Sequence, residues 1–381
     1  MFSPADAGRM LLKPFPQPEL GSLPDIAARS GRQSRTTPQV AENLPRKMAQ
    51  HRPAPGLRPE QEEEWVAGGA VAWVADREGG AAGEWARRKH RGTDRFKRGL
   101  FVRVAIASGK GGTGKTTVAT NLAWVAAQEE KSVVYLDCDV EEPNGQIFLR
   151  PAVSWRKPVT VPVPNVDLAV CDYCGQCGEI CQFSAIVCVG ERVLVFPELC
   201  HSCGGCDLAC PLSAITEVPR EIGTLMAGHR GPLRYVQGLL NIGEAMSPPV
   251  IRAVKAEARE EDLVIIDAPP GTACPVVEAV RDCDHVLLVT EPTPFGLHDL
   301  NLALDTVQTL EIPCEVVINR AGLNGSATEE FCRRRGVEIV AEFPDSRRVA
   351  EAYSRGELAA ESDPEFRDRF RSLLAHIEEL R

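Results

Sequence analysis

The run Ser-Gly-Lys-Gly-Gly-Thr-Gly-Lys-Thr-Thr, residues 108–117, constrains the fold of this chain more than any other feature. It contains the spacing G-x-x-x-x-G-K-T, follows a β-branched run at 101–107, and precedes a helical pattern at 116–128. In such a strand–loop–helix, glycines let backbone N–H groups turn inward and surround phosphate oxygens at the helix N-terminus. The sequence therefore predicts a phosphate-binding loop.

The same chemistry predicts roles for the side chains of this loop. We expect Lys115 to reach the β- and γ-phosphates of a nucleotide and the Thr116 hydroxyl to ligate Mg²⁺. The other residues expected around the phosphates are Gly109, Gly111, Gly112, Thr113, Gly114 and Thr117. A purely structural glycine turn is the alternative, and the motif in this context outweighs it.

Short apolar runs on both sides of a cysteine-rich segment predict the remaining strands. They occur at residues 132–136, 263–266, 285–289 and 315–318, and segments with helical periodicity separate them. Strands that alternate with helices indicate a mostly parallel sheet covered on both faces. We therefore expect the α/β fold of a P-loop NTPase.

A second lysine in the loop, Lys110, completes the pattern K-G-G-x-G-K-T-T, which resembles the deviant Walker A ATPases of the MinD/ParA superfamily. That superfamily includes septum-site and plasmid-partition ATPases, the nitrogenase iron protein and Mrp-type iron–sulfur carriers. The resemblance implies ATP hydrolysis in a homodimer, with Lys110 reaching the partner's phosphates. There it would add positive charge where the transition state spreads negative charge.

The resemblance also implies roles for residues at strand ends. Asp137 and Asp139 match the strand that leads into switch I, so Asp137 is expected in the magnesium shell and Asp139 beside the attacking water. Asp267 and Gly271 match the Walker B strand and switch II, which implies contacts with a magnesium water and the γ-phosphate. Asn319 matches the residue that contacts adenine. Without a phosphate loop, strand-end acids are more often helix caps.

Eight of the 14 cysteines repeat the spacing C-x₂-C-x₂-C-x₃-C, once at 171–181 and once at 200–210. This is the ferredoxin spacing, in which the fourth Cys of each run ligates the other cluster. We predict two [4Fe–4S] clusters, the first held by Cys171, Cys174, Cys177 and Cys210, and the second by Cys200, Cys203, Cys206 and Cys181. Structural zinc is the alternative, but zinc sites usually show paired C-x₂-C elements.

The cysteine-rich segment interrupts the α/β pattern and does not follow it. We therefore predict a bacterial-type ferredoxin domain of α+β type at 157–220, inserted into an ATPase domain made of residues 100–156 and 221–381. Residues 1–99 contain proline clusters and no sustained hydrophobic period, which predicts a disordered tail.

Charge and hydropathy restrict the partners and the compartment. The net charge is −10, yet residues 1–100 carry 17 Lys+Arg and 12 Asp+Glu, so the remainder carries −15. An acidic body argues against nucleic acid as the main partner. No apolar run approaches the ~20 residues of a membrane helix, and no signal-peptide pattern occurs, which predicts a cytoplasmic protein.

A helical pattern of apolar residues near the C-terminus has two interpretations. Its members are Phe366, Phe370, Leu373, Leu374, Ile377 and Leu380. The polar face carries both signs of charge, which favours a helix packed on its own sheet over one that binds a membrane.

Two functions are consistent with this combination of motifs. In the first, ATP hydrolysis gates electron transfer to a client protein, or metallocluster assembly on it, because the predicted module is inserted next to switch I, which moves with the γ-phosphate. In the second, the protein is a nucleotide-switched scaffold whose clusters are structural. A response of the clusters to ATP distinguishes the two.

Overall fold

The structure, a computed structural model, describes residues 102–259, 261–322 and 325–380. The tail predicted at 1–99 lies outside the described residues.

A nine-stranded sheet forms the centre of these ranges. Its strands are β1 Val102–Ala107, β2 Val133–Asp137, β3 Ala152–Val166, β6 Ile215–Arg230, β7 Leu233–Leu240, β8 Leu263–Asp267, β9 His285–Thr290, β10 Cys314–Ala321 and β11 Ile339–Pro344. The order across the sheet is β11-β10-β9-β1-β8-β2-β7-β6-β3. The strands from β11 to β7 pair in parallel, and β6 and β3 are antiparallel additions at one edge. The predicted mostly parallel α/β sheet is confirmed.

Helices cover both faces of the sheet. They are α1 Lys115–Gln128, α2 Gly145–Leu149, α5 Pro248–Lys255, α6 Cys274–Val280, α7 Pro294–Thr309, α8 Gly325–Arg335, α9 Arg347–Ser354, α10 Ala359–Ser362 and α11 Pro364–Glu379. One apolar core joins α1 and α11 to the sheet, and a second joins α5, α6 and α7 to its other face. The strands between these cores are apolar on both sides, which explains their unbroken runs of β-branched residues.

The C-terminal helix α11 packs its apolar face against the fold. Phe366, Phe370, Leu373, Leu374 and Ile377 are buried in the same core as α1. The Phe370 ring stacks on Phe343 of β11 with centroids 4.4 Å apart. This is the packed arrangement that the charge pattern favoured. Within the described ranges, no helix combines the length and apolar character needed to cross a membrane.

The edge strands β3 and β6 form a long hairpin that extends past the sheet. Pairing of β6 with β7 begins only at Gly223, opposite Leu240, so residues 215–222 pair with β3 alone. At ~3.3 Å per residue, that extension is roughly 26 Å long. Because β7 runs parallel to β2, the extension leaves the sheet on the side where the parallel strands have their carboxyl ends, which is where β2 ends in Asp137.

A small cysteine-rich module, residues 167–214, lies at the far end of this hairpin. It contains α3 Gln176–Ile180, β4 Ile186–Cys188, β5 Val193–Val195, a 3₁₀ turn at Pro197–Leu199 and α4 Gly205–Leu208. The antiparallel strands β4 and β5 lie between the two cysteine runs. The sequence pattern placed the module's limits at residues 157 and 220. Residue 157 lies within β3 and residue 220 within β6, so both predicted limits fall inside the strands of the hairpin.

Candidate nucleotide and cluster sites

The glycine-rich loop connects the carboxyl end of β1 to the first turn of α1. Gly112 and Gly114 have φ values of 82° and 90°, which side-chain-bearing residues rarely adopt. A Cβ on Gly114 would also lie 2.1 Å from the Asn319 side-chain nitrogen. Asn319 Nδ2 donates to the Thr113 carbonyl at 2.9 Å. The structure therefore brings Asn319, from the end of β10, onto the loop that the sequence predicted to bind phosphate.

Lys115 and Asp267 form a buried ion pair at the centre of this site. Lys115 Nζ lies 2.6 Å from Asp267 Oδ1, and the two side chains are 7% and 1% exposed. Burial lowers the pKa of Lys115, but Asp267, Asp139 and Asp137 together outweigh it, and the pKa lies above its usual value. Lys115 therefore remains an ammonium, in place to meet phosphate charge.

One carboxylate oxygen of Asp137 accepts hydrogen bonds, and the other has no hydrogen-bond partner. Its Oδ2 accepts from the Gly145 N–H at 2.9 Å and lies 3.3 Å from the Tyr235 hydroxyl. Its Oδ1 is buried without a partner, and so is the Thr113 hydroxyl. Burial and the nearby Asp267 raise the pKa of Asp137 well above its usual range. Buried oxygens that lack a donor and carry clustered negative charge fit a hard divalent cation such as Mg²⁺.

Asp139 lies two residues further along the same strand end and is less enclosed. Burial raises its pKa to about 6, despite the opposing charge of Lys115. Gly271, with φ 97°, donates its N–H to the Ser108 carbonyl at 2.9 Å. The segment after β8 is thereby joined to the phosphate loop, as a γ-phosphate contact from Gly271 requires.

Lys110 is held by an acid of its own chain. Its Nζ lies 2.8 Å from Glu291 Oε1, and Arg320 lies 3.1 Å from the other oxygen of the same carboxylate. The hydrogen bond from Lys110, with the charge of Arg320, holds the pKa of Glu291 below its usual value. Lys110 is 31% exposed, and an exposed pair of this kind stabilises by at most about 1 kcal/mol. The lysine can therefore leave Glu291 at little cost.

Two cavities in the module divide the cysteines between them. The first is lined by Cys171, Cys174, Cys177 and Cys210. The second is lined by Cys181, Cys200, Cys203 and Cys206. Each quartet consists of three cysteines from one run and the fourth from the other. Among the described residues, no three Cys, His, Asp or Glu side chains gather in a way that could hold a single metal ion.

The second cysteine run repeats the backbone of the first. Tyr173 and Ser202, each just before the second Cys of its run, have φ values of 60° and 54°. Four residues after the last Cys of each run, Ala185 and Ala214 donate their N–H to Cys181 Sγ at 3.3 Å and to the corresponding sulfur of the second run at 3.2 Å. N–H groups directed at sulfur favour the thiolate form, which is the form that binds iron. The donors and cavities therefore fit iron–sulfur clusters.

The part of the chain that carries the nucleotide site resembles known proteins. Residues 104–359, more than half of the chain, match the family described as the CobQ/CobB/MinD/ParA nucleotide binding domain. The chain belongs to this family. It is therefore a nucleotide-binding protein of MinD/ParA type.

Individual relatives of the family differ in how closely they resemble this chain. An uncharacterised protein of Methanocaldococcus jannaschii is 38% identical over 59% of this chain and 80% of its own length. An iron–sulfur cluster carrier protein of the same organism is 22% identical over 73% of this chain and 84% of its own length. A solved structure of the septum site-determining protein MinD with Mg-ADP, from Pyrococcus horikoshii, is 18% identical with a TM-score of 0.47, covering 74% of this chain and 97% of that one.

The sequence motifs assigned no role to several residues that contact the site. Glu291 follows β9, and Tyr135 and Tyr235 lie within apolar strands, where a tyrosine is ordinarily taken as core. Arg220 and Glu244 form an ion pair between the module's hairpin and the loop after β7. For Tyr135, the sequence offered one indication of a polar role: its hydroxyl lies in a strand that ends in an acid, Asp137.

Proposed function

We propose that this protein hydrolyses ATP as a homodimer, holds two [4Fe–4S] clusters, and couples nucleotide state to electron transfer to a client protein or to metallocluster assembly on it. The observation that carries the proposal is the hairpin β3–β6. It projects from the edge of the sheet that holds the strand-end acids and presents the cysteine module beyond it. The nucleotide site and the module thus lie on the same side of the sheet, at the carboxyl ends of its parallel strands.

The nucleotide site supports hydrolysis through charges that are already in place. Lys115 meets the β- and γ-phosphates, while the N–H groups of Gly111, Gly112 and Gly114 surround their oxygens. Thr116, Asp137 and Asp267 would hold Mg²⁺, which would supply positive charge against the negative charge that develops on the phosphates.

Attack on the γ-phosphate requires a positioned water and a second cation. Asp139 would orient the water, and its raised pKa of about 6 leaves it ionised near neutral pH. Lys110, released from Glu291, would contribute its charge to the phosphates of the partner subunit. An Asp139→Ala variant should retain ADP binding and lose phosphate release, and unchanged turnover would contradict this role.

The cysteine quartets support two clusters of ferredoxin type. Cys171, Cys174, Cys177 and Cys210 would hold one, and Cys200, Cys203, Cys206 and Cys181 the other. Bound clusters of this kind accept and donate single electrons at potentials set by hydrogen bonds to sulfur and by exposure. The resemblance to iron–sulfur cluster carrier proteins, at 22% identity, supports the same class of cofactor.

Physical contacts link the two sites. Val140, just after Asp139, accepts the N–H of Leu240 at 2.8 Å, and Asn241 donates to Ile222 of β6 at 2.9 Å. A shift of the segment after β2 therefore reaches the base of the module's hairpin through two backbone hydrogen bonds.

The test is iron content and the EPR spectrum of anaerobically purified, dithionite-reduced protein, with and without MgATP. About eight irons per chain and a two-cluster signal that MgATP alters support the proposal. Zinc without iron refutes the clusters, and an iron signal unaffected by MgATP favours a scaffold in which the clusters are structural.

A matched pair of variants makes the test specific. Cys210→Ala should lose one cluster, about four irons. Cys188→Ala should lose none, because Cys188 lines the first cavity outside the quartet and its thiol donates to the Tyr173 carbonyl at 3.4 Å. Equal iron loss in both variants would contradict the ligand assignment.

A further inference from the structure

Two buried tyrosines lie directly beside the strand-end carboxylates. Tyr135 on β2 and Tyr235 on β7 are both 0% exposed. Their rings stack with centroids 5.5 Å apart and an interplanar angle of 9°. Each hydroxyl lies against a different carboxylate of the site, so the pair is more than apolar filling.

The hydroxyl of Tyr135 donates to Asp267 Oδ2 at 2.6 Å. Lys115 takes the other oxygen of that carboxylate. A phenol is protonated at neutral pH, so this hydroxyl acts as a donor to the carboxylate. Asp267 is thereby held at both oxygens, and its orientation depends on the tyrosine as well as on the lysine.

The hydroxyl of Tyr235 divides its single proton between two acceptors. Gln237 Oε1 is 2.8 Å away and Asp137 Oδ2 is 3.3 Å away. Together with the Gly145 N–H, this hydroxyl occupies Oδ2 of Asp137 and leaves Oδ1 as the buried oxygen without a donor. The bond from Tyr235 to Asp137 is longer than the bond from Tyr135 to Asp267, and its proton is shared with Gln237. Tyr235 therefore restrains Asp137 less than Tyr135 restrains Asp267.

Gly145 closes the arrangement from the switch side. A Cβ on this glycine would lie 2.6 Å from the Tyr135 hydroxyl oxygen and 2.8 Å from Asp137 Oδ2. The first residue of α2 thus packs against a tyrosine and an acid at once. The hydroxyls, the carboxylates and the switch segment form one buried polar cluster, in which displacement of one member moves the others.

We propose that Tyr135 and Tyr235 are positioning residues for the divalent cation, orienting Asp267 and Asp137 so that their oxygens meet Mg²⁺ at the phosphates. The inference rests on the proposed nucleotide function and adds to it two residues to which the sequence motifs assigned no role. A tyrosine that only fills space would be replaced by phenylalanine without consequence for the cation. A tyrosine that orients a ligand would not.

The test is a titration of Mg²⁺ against binding of a fluorescent ADP analogue to the full-length protein. Tyr135→Phe should raise half-saturating Mg²⁺ roughly tenfold, the lower end for loss of a hydrogen bond to a charged group. Tyr235→Phe should raise it a few-fold. Binding of the analogue in EDTA should stay at the wild-type level in both variants.

Tyr353→Phe is the matched control. Tyr353 is 51% exposed, and its ring packs on that of Phe148 with centroids 4.9 Å apart. Its Mg²⁺ dependence should equal that of the wild type. If the wild type binds the analogue without any Mg²⁺ dependence, the proposed magnesium site fails; if it shows that dependence and both variants match it, the positioning role alone fails.

Gln237→Met decides the case in which a phenylalanine variant does not fold. The methionine leaves the Tyr235 hydroxyl with Asp137 as its acceptor, so half-saturating Mg²⁺ should be no higher than in the wild type. A few-fold rise in half-saturating Mg²⁺ over the wild type would show that the polar packing matters and the hydroxyl does not, which overturns the proposal.

Discussion

The ion pair between Arg220 and Glu244 is the side-chain bond that ties the module's hairpin to the loop after β7, and its removal should loosen that connection. Arg220 lies on the extension of β6 and Glu244 follows β7. The bond is bidentate, with Arg220 Nη2 donating to Glu244 Oε2 at 2.8 Å. The side chains are 19% and 11% exposed, and the hydrogen bond to Glu244 raises the pKa of Arg220.

The magnitude follows from this geometry. Hydrogen bonds to charged groups contribute ~1.5–3 kcal/mol to stability, and leaving one member of a fully buried pair costs roughly 3–5 kcal/mol. Partial exposure of Arg220 places this pair near the lower figure. We expect Glu244→Gln and Arg220→Met each to lower the free energy of unfolding by about 2 kcal/mol. The double variant should lose little more, which gives a coupling energy of ~1–2 kcal/mol.

Denaturant unfolding of the cluster-loaded protein, in a double-mutant cycle, measures this coupling. Arg252→Met and Glu278→Gln form the control cycle, because that pair is also bonded at 3.0 Å but its arginine is 56% exposed. We expect the control coupling to stay below about 1 kcal/mol. Additive losses at Arg220 and Glu244 would refute the reasoning. With coupling confirmed, the same variants should also weaken the MgATP-dependent change in the EPR signal.

Three further outcomes follow from buried groups. Gly145→Ala should weaken Mg²⁺-dependent nucleotide binding by tenfold or more, because the new Cβ would lie 2.6 Å from Tyr135. A variant that binds nucleotide with wild-type affinity in a Mg²⁺ titration would show that this contact is not tight. Burial lowers the pKa of His285, despite Glu315. The unfolded chain therefore binds a proton at this side chain more tightly than the folded one does. The stability of the wild type relative to that of His285→Gln, measured by urea unfolding at each pH, should fall from pH 7.5 to 5.5. Phe370→Ala should cost ~3–5 kcal/mol by thermal or denaturant unfolding, and a loss below 1 kcal/mol would mean that α11 is not part of the core.

The phosphate loop could be predicted from the sequence because its function depends on local backbone geometry. Gly112 and Gly114 occupy left-handed conformations that glycine tolerates best, and the strand and helix around them follow from apolar runs. The common location of Asp137 and Asp267 was predictable for a related reason, since the carboxyl ends of parallel strands lie on the same side of the sheet.

Other partners in the site were beyond a motif-based prediction. Glu291 holds Lys110 from the end of β9, and Tyr235 reaches Asp137 from β7, across separations of 181 and 98 residues. Neither pair has a spacing that a local pattern could reveal. Their proximity depends on which strands are neighbours in the sheet.

The cysteine module shows the same division between sequence and tertiary structure. Spacing alone determined the grouping of the thiols, because a tight C-x₂-C-x₂-C turn directs three side chains to one place and leaves the fourth for the other. The length and direction of the module's extension were decided by the pairing of β6 with β7 and β3. Its place beside the strand-end acids was decided by the pairing of β7 with β2. Local chemistry depends on neighbouring residues, whereas the relation between the two sites depends on hydrogen bonds between β2 and β7, which are distant in the chain.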